Sequence, residues 1–381
     1  MAASIVERLK HLPELSSITI QGFKSIAECE ELNLGPINVV IGANGAGKSN
    51  FLEVFSFLHA IREGGLQDYV GRAGGADKLL HFGSRFTPKM FIHISFEGGI
   101  SQYDITLEAS DDDELIPTDE ICYFWDKANY QQPYDTSVSR RGKEAGISDG
   151  NTKDRVAKYV RSHLTKWRLY HLHDTSRSSP MKKTSDLHDN GFLRPDGSNL
   201  PAFLFHLQEK HFIEYTLIRK TIQRVAPFFD DFSLRPSRLN ENKIRLEWRH
   251  VGSDAFFDVS SLSDGSLRFI ALATLFLQPE EYRPSVILVD EPELGLHPYA
   301  ITMFAALVKQ VSKETQVIVS TQSPLLLDHF EPEDVLVADR VKGETRLTRL
   351  AGEKLDTWLE EYSLGQLWEK NELGGRPGSP G

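Results

Sequence analysis

Cysteine is almost missing from this 381-residue chain, which has only Cys29 and Cys122. The two lie far apart and fit no metal-binding or redox spacing, which excludes a disulfide framework and predicts a reducing, cytoplasmic setting. Long apolar runs are missing as well. The longest, Phe269 to Leu277, falls far short of the roughly 20 residues that span a bilayer. The opening residues MAASIVERLKHLPELSS carry charges where a secretory leader needs an apolar stretch, so no membrane partner is expected. Positive charge is also in deficit: 43 Lys and Arg stand against 54 Asp and Glu, a net charge of −11. That excludes a general nucleic-acid coat but leaves room for a local basic face. Apolar side chains, by contrast, make up 40% of the chain, enough to fill the core of one large domain or two modest ones.

The apolar residues are patterned. Ile18, Ile20 and Phe23 alternate like a strand, and Ile37 to Ile41 is a short β-branched run. Leu52, Phe55, Leu58 and Ile61 recur at spacings of three, predicting a helix from Lys48 to Arg62 that Gly64-Gly65 ends. Strands are expected over Phe91–Phe96, Tyr103–Ala109 and Ile121–Trp125. Ser139–Asn151 and Thr175–Asn190 are polar, and both read as exposed loops, the first of them mobile. Helical spacing marks Val156–Leu164, Ala202–Leu207 and Phe212–Val225, while Lys243–His250 alternates as one half-exposed strand. The last third places helices (Leu267–Leu277, Ile301–Val311, Pro324–Phe330) between strands (Val286–Val289, Val317–Ser320, Val335–Ala338, Thr345–Leu350). Such alternation implies a mainly parallel sheet.

Between the β-branched run and the first helix lies Gly42-Ala-Asn-Gly-Ala-Gly-Lys48-Ser49, a match to G-x-x-x-x-G-K-[ST]. Its glycines let successive backbone N–H groups cradle phosphate oxygens at a helix N-terminus. Lys48 is placed to reach the β- and γ-phosphates of ATP and Ser49 to ligate Mg²⁺. Asn44, Gly45, Ala46, Gly47, Lys48, Ser49 and Asn50 are the expected nucleotide contacts. The second half of the constellation is Ser285-Val-Ile-Leu-Val-Asp290-Glu291. An apolar strand there delivers Asp290 to the metal, and Glu291 is placed to orient or deprotonate the attacking water.

Pro292-Glu-Leu-Gly-Leu-His297-Pro298 follows that acidic pair, and Leu262-Ser-Asp-Gly-Ser266 precedes it. With Ile18-Thr-Ile-Gln-Gly-Phe-Lys-Ser25, the series resembles the ABC-type ATPase head of the RecF and SMC branch. The resemblance implies an α/β P-loop NTPase fold with a mixed sheet, an N-terminal antiparallel β-subdomain and a helical insert. It also implies that Ser263 and the Gly265 N–H contact the γ-phosphate held by a second copy, so that ATP joins a head-to-tail homodimer or a higher oligomer. Tyr170-His-Leu-His-Asp-Thr-Ser176, Asp196-Gly-Ser-Asn-Leu200, the run at 263–268 and Leu364-Gly-Gln-Leu-Trp368 are similar to stand-alone AAA-type ATPases related to the overcoming-lysogenization-defect nucleases. The expected units are an N-terminal ATPase lobe (1–150), a basic and largely helical insert (151–250), a C-terminal ATPase lobe (251–370) and a disordered tail (371–381).

Two departures from the family pattern bear on mechanism. Gln322 in Val319-Ser-Thr-Gln-Ser-Pro324 stands where such heads carry a histidine. It can hydrogen-bond a phosphate or a water but cannot carry a proton, so hydrolysis is expected to be slow. Asp264 stands where transporters have glycine, and its charge needs a partner near a γ-phosphate. About 50 residues follow Phe330, too few for a TOPRIM nuclease domain, so the expected role is a switch or sensor for a separately encoded effector. A small TOPRIM-like nuclease in anti-phage defence is one such effector; the alternative is a RecF-like DNA-binding ATPase in repair.

Other residues weigh less. His171-x-His173-Asp174 has metal-ligand spacing but shows no third or fourth ligand at a plausible spacing, and a polar network, structural or close to ATP, is the favoured reading. His297 is expected to orient a dimer interface, Lys24 either to reach the nucleotide or to be solvated, and Phe228-Phe229 with Phe232 to be core. From Thr152 to His250 there are 19 Lys and Arg against 11 Asp and Glu, a local net of +8 that leaves −19 for the remainder. That segment fits nucleic acid, an acidic protein, or simply a solvated face.

Overall fold

The computed structural model describes residues 14–165, 167–352 and 355–374; the expected disordered tail lies, from 375 on, outside them. Two six-stranded sheets organise the chain. The antiparallel one runs in the order β2-β1-β4-β5-β6-β7. Its strands are β1 (Leu15–Phe23), β2 (Ile26–Asn33), β4 (Lys89–Phe96), β5 (Ser101–Ala109), β6 (Leu115–Phe124) and β7 (Tyr134–Ser137). The other sheet runs β18-β17-β3-β16-β15-β8, built from β3 (Ile37–Ile41), β8 (Trp167–Tyr170), β15 (Val286–Asp290), β16 (Gln316–Thr321), β17 (Val335–Val341) and β18 (Glu344–Arg349). All its pairings are parallel except β17 with β18. Among the described residues no helix is long and apolar enough to cross a membrane.

Because side chains alternate along a strand, the parallel sheet divides its residues between two cores. Val40, Val286, Leu288 and Ile318 face one side, where they meet Phe51, Leu52, Phe55 and Leu58 of the helix Lys48–Glu63 and the inner face of the antiparallel sheet. Val39, Ile41, Ile287, Val289, Val317 and Val319 face the other, packing on the helices Asp264–Leu277 and Pro298–Val311. Asp264–Leu277 is buried continuously from Leu267 to Leu277, as a helix must be when its neighbours cover it all round. Gln316, the first residue of β16, ties the sheets together. Its buried side-chain amide accepts from Leu15 N–H (2.9 Å) and donates to the carbonyls of Leu15 (2.8 Å) and Gly35 (2.8 Å).

Segment 151–250 is only partly helical. It holds the helices Arg155–Thr165, Leu200–Lys210 and Phe212–Val225. Its strand Trp167–Tyr170, however, is the edge of the parallel sheet, pairing with β15, so this stretch is continuous with the sheet that contains β3. The expected single strand over 243–250 is broken. Ile244, Leu246 and Trp248 are all buried as their alternation requires, yet the hydrogen-bond partners change between them. Asn240–Ile244 (β12) pairs with β9 (Ser185–Asp186) and β11 (Pro236–Ser237), whereas Glu247–His250 (β13) pairs with β10 (Phe229–Ser233) and β14 (Phe256–Asp258).

The expected mobile loop at 139–151 is instead pinned. Ala145, Gly146 and Ile147 are buried, and the N–H groups of Gly146 (2.6 Å) and Ile147 (2.8 Å) donate to the buried carboxylate of Glu120. In the second expected loop, 175–190, Ser179 and Met181 are likewise buried.

Candidate functional site

The P-loop connects β3 to the helix Lys48–Glu63. Gly47 caps that helix at φ 104°, with no side-chain cap and no acidic residue in the first turn, so the first-turn N–H groups are left for an anion. A Cβ on Gly47 would lie 2.0 Å from Thr345 Oγ1, which makes glycine obligatory here. Asn44, Gly45 and Ser49 are on the exposed side of the loop, while Ala46 is buried. The Ala46 carbonyl accepts from Thr345 Oγ1 (2.8 Å), which also meets Ser25 Oγ (2.7 Å). Asn50, expected at the nucleotide, commits its side-chain amide to Ser25 Oγ (2.6 Å) and so braces the loop from behind. Lys48 is buried, and its Nζ donates to the carbonyls of Gly42 (2.8 Å) and Ala43 (3.2 Å). Burial lowers its pKa, against the opposing charges of Glu291, Asp290 and Glu293.

β15 and β16 run parallel with Asp290 level with Ser320, and so deliver the remaining groups to the same end of the sheet. Asp290 Oδ1 accepts from Ser320 Oγ, while Oδ2 takes a 3.3 Å bond from Ser49 Oγ and lies 3.8 Å from His173 Nε2. Its pKa is depressed: burial pushes it up, but the bonds from His173 and Ser320 and the charges of both histidines outweigh that. Glu291 turns out of the strand at φ 41°, a left-handed conformation that costs a non-glycine residue roughly 1–3 kcal/mol. Its N–H bonds Ser320 O (2.9 Å), and its Oε1 accepts from Gln322 Nε2. Gln322 is fixed in turn by Glu293, whose Oε1 accepts from the Gln322 N–H (3.0 Å) and from Thr321 Oγ1 (2.6 Å). Glu293 is buried and its pKa is raised by that burial.

Lys48, Ser49, Asp290, Glu291 and Gln322 are therefore brought together. Among the described residues, Ser263 and Gly265 make no hydrogen bond to the P-loop. Ser263 caps the helix Asp264–Leu277, accepting from the Ser266 N–H (3.1 Å). A Cβ on Gly265 would lie 2.1 Å from Gly295 O, so this glycine permits close approach to the loop after Glu291. Asp264 has the partner its charge needs, Lys182 Nζ at 3.1 Å. His297 caps the helix Pro298–Val311, its Nδ1 accepting from the Tyr299 N–H (3.3 Å). Lys24 pairs with Glu53, not with the P-loop. Phe229 and Phe232 are core, as expected, but Phe228 is 37% exposed.

Sequence reasoning missed two contributors and left a third feature incomplete. Glu293 was visible only as one more acid after the strand. Arg268 is buried and donates to Leu172 O (Nε, 3.0 Å) and His173 O (Nη2, 2.9 Å), which nothing in its sequence neighbourhood signals. His171 and His173 lacked a third partner in sequence, and the structure supplies one in Asp290.

The comparisons with known proteins agree with this geometry. Residues 37–328 match the family model described as "AAA domain, putative AbiEii toxin, Type IV TA system". The OLD nuclease of Thermus scotoductus (strain ATCC 700910 / SA-01) is 22% identical over 365 residues, covering 86% of this chain and 62% of that protein. The chain thus spans less than two thirds of that relative's length. The crystal structure of an SMC head bound to the C-terminal winged-helix domain of ScpA superposes with a TM-score of 0.60 at 16% identity, over 90% of this chain and 99% of that one. The SMC head with extended coiled coil, bound to the C-terminal domain of ScpA from Pyrococcus furiosus, gives 0.57 at 15% identity, over 92% and 99%. With the family model matched across most of its length, the chain belongs to this AAA family, an ABC/RecF-like ATPase of SMC-head fold related to the OLD nuclease.

Proposed function

We propose that this P-loop ATPase binds ATP with Mg²⁺, hydrolyses it slowly, and uses the bound nucleotide to join two copies head to tail. The observation that carries the reading is the convergence of Lys48, Ser49, Asp290, Glu291 and Gln322 at one end of β3, β15 and β16. The uncapped helix N-terminus and Lys48 would hold the phosphates. Ser49 Oγ and Asp290 Oδ2 would hold Mg²⁺, which supplies charge neutralisation at the phosphate oxygens. Glu291 takes a proton from the attacking water as the new O–P bond forms, and the bond to the ADP oxygen breaks in line. Gln322 aims that carboxylate but relays no proton, which fits slow turnover.

Ser263 and Gly265 would cap the γ-phosphate of the partner copy, and Lys182 neutralises Asp264 so that this surface need not repel it. The dimer would act as a switch for a separately encoded effector, one that supplies the nuclease function in the relative's name. A RecF-like DNA clamp is less favoured, because several cations of 151–250 pair locally: Arg219 with Asp231, Arg249 with Asp230, Arg194 with Asp189 and Arg245 with Glu247. The test is light scattering on Glu291→Gln with ATP and Mg²⁺. A doubled mass is expected, absent in Lys48→Ala, and an unchanged mass would refute the nucleotide-joined dimer.

A further inference from the structure

We propose that His171, His173 and Asp290 form a divalent transition-metal site, so that the cation at the strand-end carboxylate is drawn from the Mn²⁺-to-Zn²⁺ series in preference to Mg²⁺. The site follows from strand register. β8 pairs with β15 so that Tyr170 is level with Val289. The residues that follow, His171 just past the end of β8 and Asp290 at the end of β15, therefore lie at the same end of the sheet. His173 follows two residues on. One donor atom from each of the three side chains lies within 4.8 Å of the others. Donors sharing one ion with bonds of roughly 2.1 Å sit at most about 4.2 Å apart, so modest side-chain rotation closes the set.

The carboxylate is already turned to the task. Oδ1 of Asp290 is occupied by Ser320, which leaves Oδ2 facing both His173 Nε2 (3.8 Å) and Ser49 Oγ (3.3 Å). The backbone that carries the two imidazoles is fixed: the main-chain N–H of His171 donates to Pro195 O (3.0 Å), and the main-chain carbonyl of His173 accepts from the buried guanidinium of Arg268 (2.9 Å). His171 is exposed, which gives an ion a way in.

Donor chemistry selects the ion. Mg²⁺ is hard, prefers six oxygens and gives up water reluctantly, whereas imidazole nitrogens favour ions later in the first transition row. Ser49 and Asp290 alone form an oxygen site suited to Mg²⁺. Adding two imidazoles shifts the preference without removing an oxygen. This deepens the ATPase reading, in which Asp290 Oδ2 holds one cation, by naming the class of ion that best suits that position, and it needs no nucleotide to be observed.

The experiment therefore omits ATP. Mn²⁺ binding to the whole chain is followed by the loss of the free-ion electron paramagnetic resonance signal and by calorimetry, with Mg²⁺ as competitor. One Mn²⁺ per chain is expected, displaced only by a large excess of Mg²⁺. The double variant His171→Ala/His173→Ala should lose roughly 10- to 100-fold in Mn²⁺ affinity, the scale on which even contacts behind a ligand act, while its weaker Mg²⁺ affinity stays unchanged. His171→Gln/His173→Gln, which keeps polar groups in place, should show the same loss, and its thermal melt checks the fold. Unchanged Mn²⁺ affinity in both variants, or equal affinity for the two ions in the wild type, would overturn the proposal. Lys48→Ala separates the two readings: it should bind Mn²⁺ normally, and if it also bound ATP normally the nucleotide site would be refuted while the metal site stood.

Discussion

In the antiparallel sheet polar side chains find each other, whereas in the parallel sheet those left for chemistry collect at one end, and Gln316 at the other is used up in its bonds to Leu15 and Gly35. β5 alternates buried and half-exposed residues along most of its length, and its polar groups are used locally. Asp104 pairs with His93, and Tyr103 donates to Glu120, which in turn caps the turn at Gly146 and Ile147. β3 and β16 are buried at every position. Neither side of that sheet can hold an unpaired polar group, so Asp290, Thr321 and the loop residues beyond them gather past the last apolar position. A sheet covered on both faces has only its ends for chemistry; a sheet with one solvated face has no such constraint and here serves as support.

Variants can break this division. The largest effect is expected from Glu291→Gln, which should slow phosphate release by about 10²–10⁴-fold with little change in melting temperature. Phe96→Ala in β4 should do the reverse. Phe96 is fully buried against His163 (ring centroids 4.7 Å apart) and Trp167 (5.8 Å), so its removal should cost about 3–5 kcal/mol in a denaturant melt and leave turnover per folded molecule unchanged. A Phe96 variant that folded normally yet lost turnover would show that the two sheets are not separable. Lys182→Met removes the bonds of a largely buried ammonium to both Asp264 and the Thr175 carbonyl, so a loss of about 1–3 kcal/mol is expected, small enough for the chain still to fold. It should nonetheless weaken the ATP-dependent gain in mass, which a titration of ATP against scattering would reveal.

The smallest effect concerns pH. Burial raises the Glu293 pKa, so its contribution to stability is present below the ordinary carboxylate range and is lost as pH rises through the raised value. Glu293→Gln keeps an acceptor for Thr321 and the Gln322 N–H but cannot ionise. Its melting temperature should therefore fall less than that of the wild type between acid and neutral pH.

How much of this was legible in the sequence depends on distance along the chain. The P-loop, its helix and the acidic strand end were readable because each is a local pattern with a local consequence. The link from Gln322 to Glu291 was half readable, since the two residues end neighbouring strands. The cation cluster was not: His171 meets Asp290 only through the register of β8 on β15, which no spacing encodes. Nor was the pinned turn at 139–151, whose polar sequence looks mobile until Glu120, on another strand, is placed beneath it. Arg268 was hidden for the same reason, a charged residue in an otherwise buried helix whose partners are the carbonyls of Leu172 and His173.

The Gln316 amide that joins the two sheets also sets an order in time. It lies 301 residues after Leu15, whose N–H and carbonyl it satisfies. At roughly 5–20 residues per second, the ribosome needs about 15–60 s to make the chain between them. Strand β3, which carries the P-loop, has β16 and β17 as its sheet neighbours, and both emerge late. The antiparallel sheet can pair as it is made, while the nucleotide loop must wait, without a sheet to anchor it, until β16 and β17 have been made. A nascent chain stalled before residue 316 should therefore have a folded β-subdomain and no competent nucleotide site.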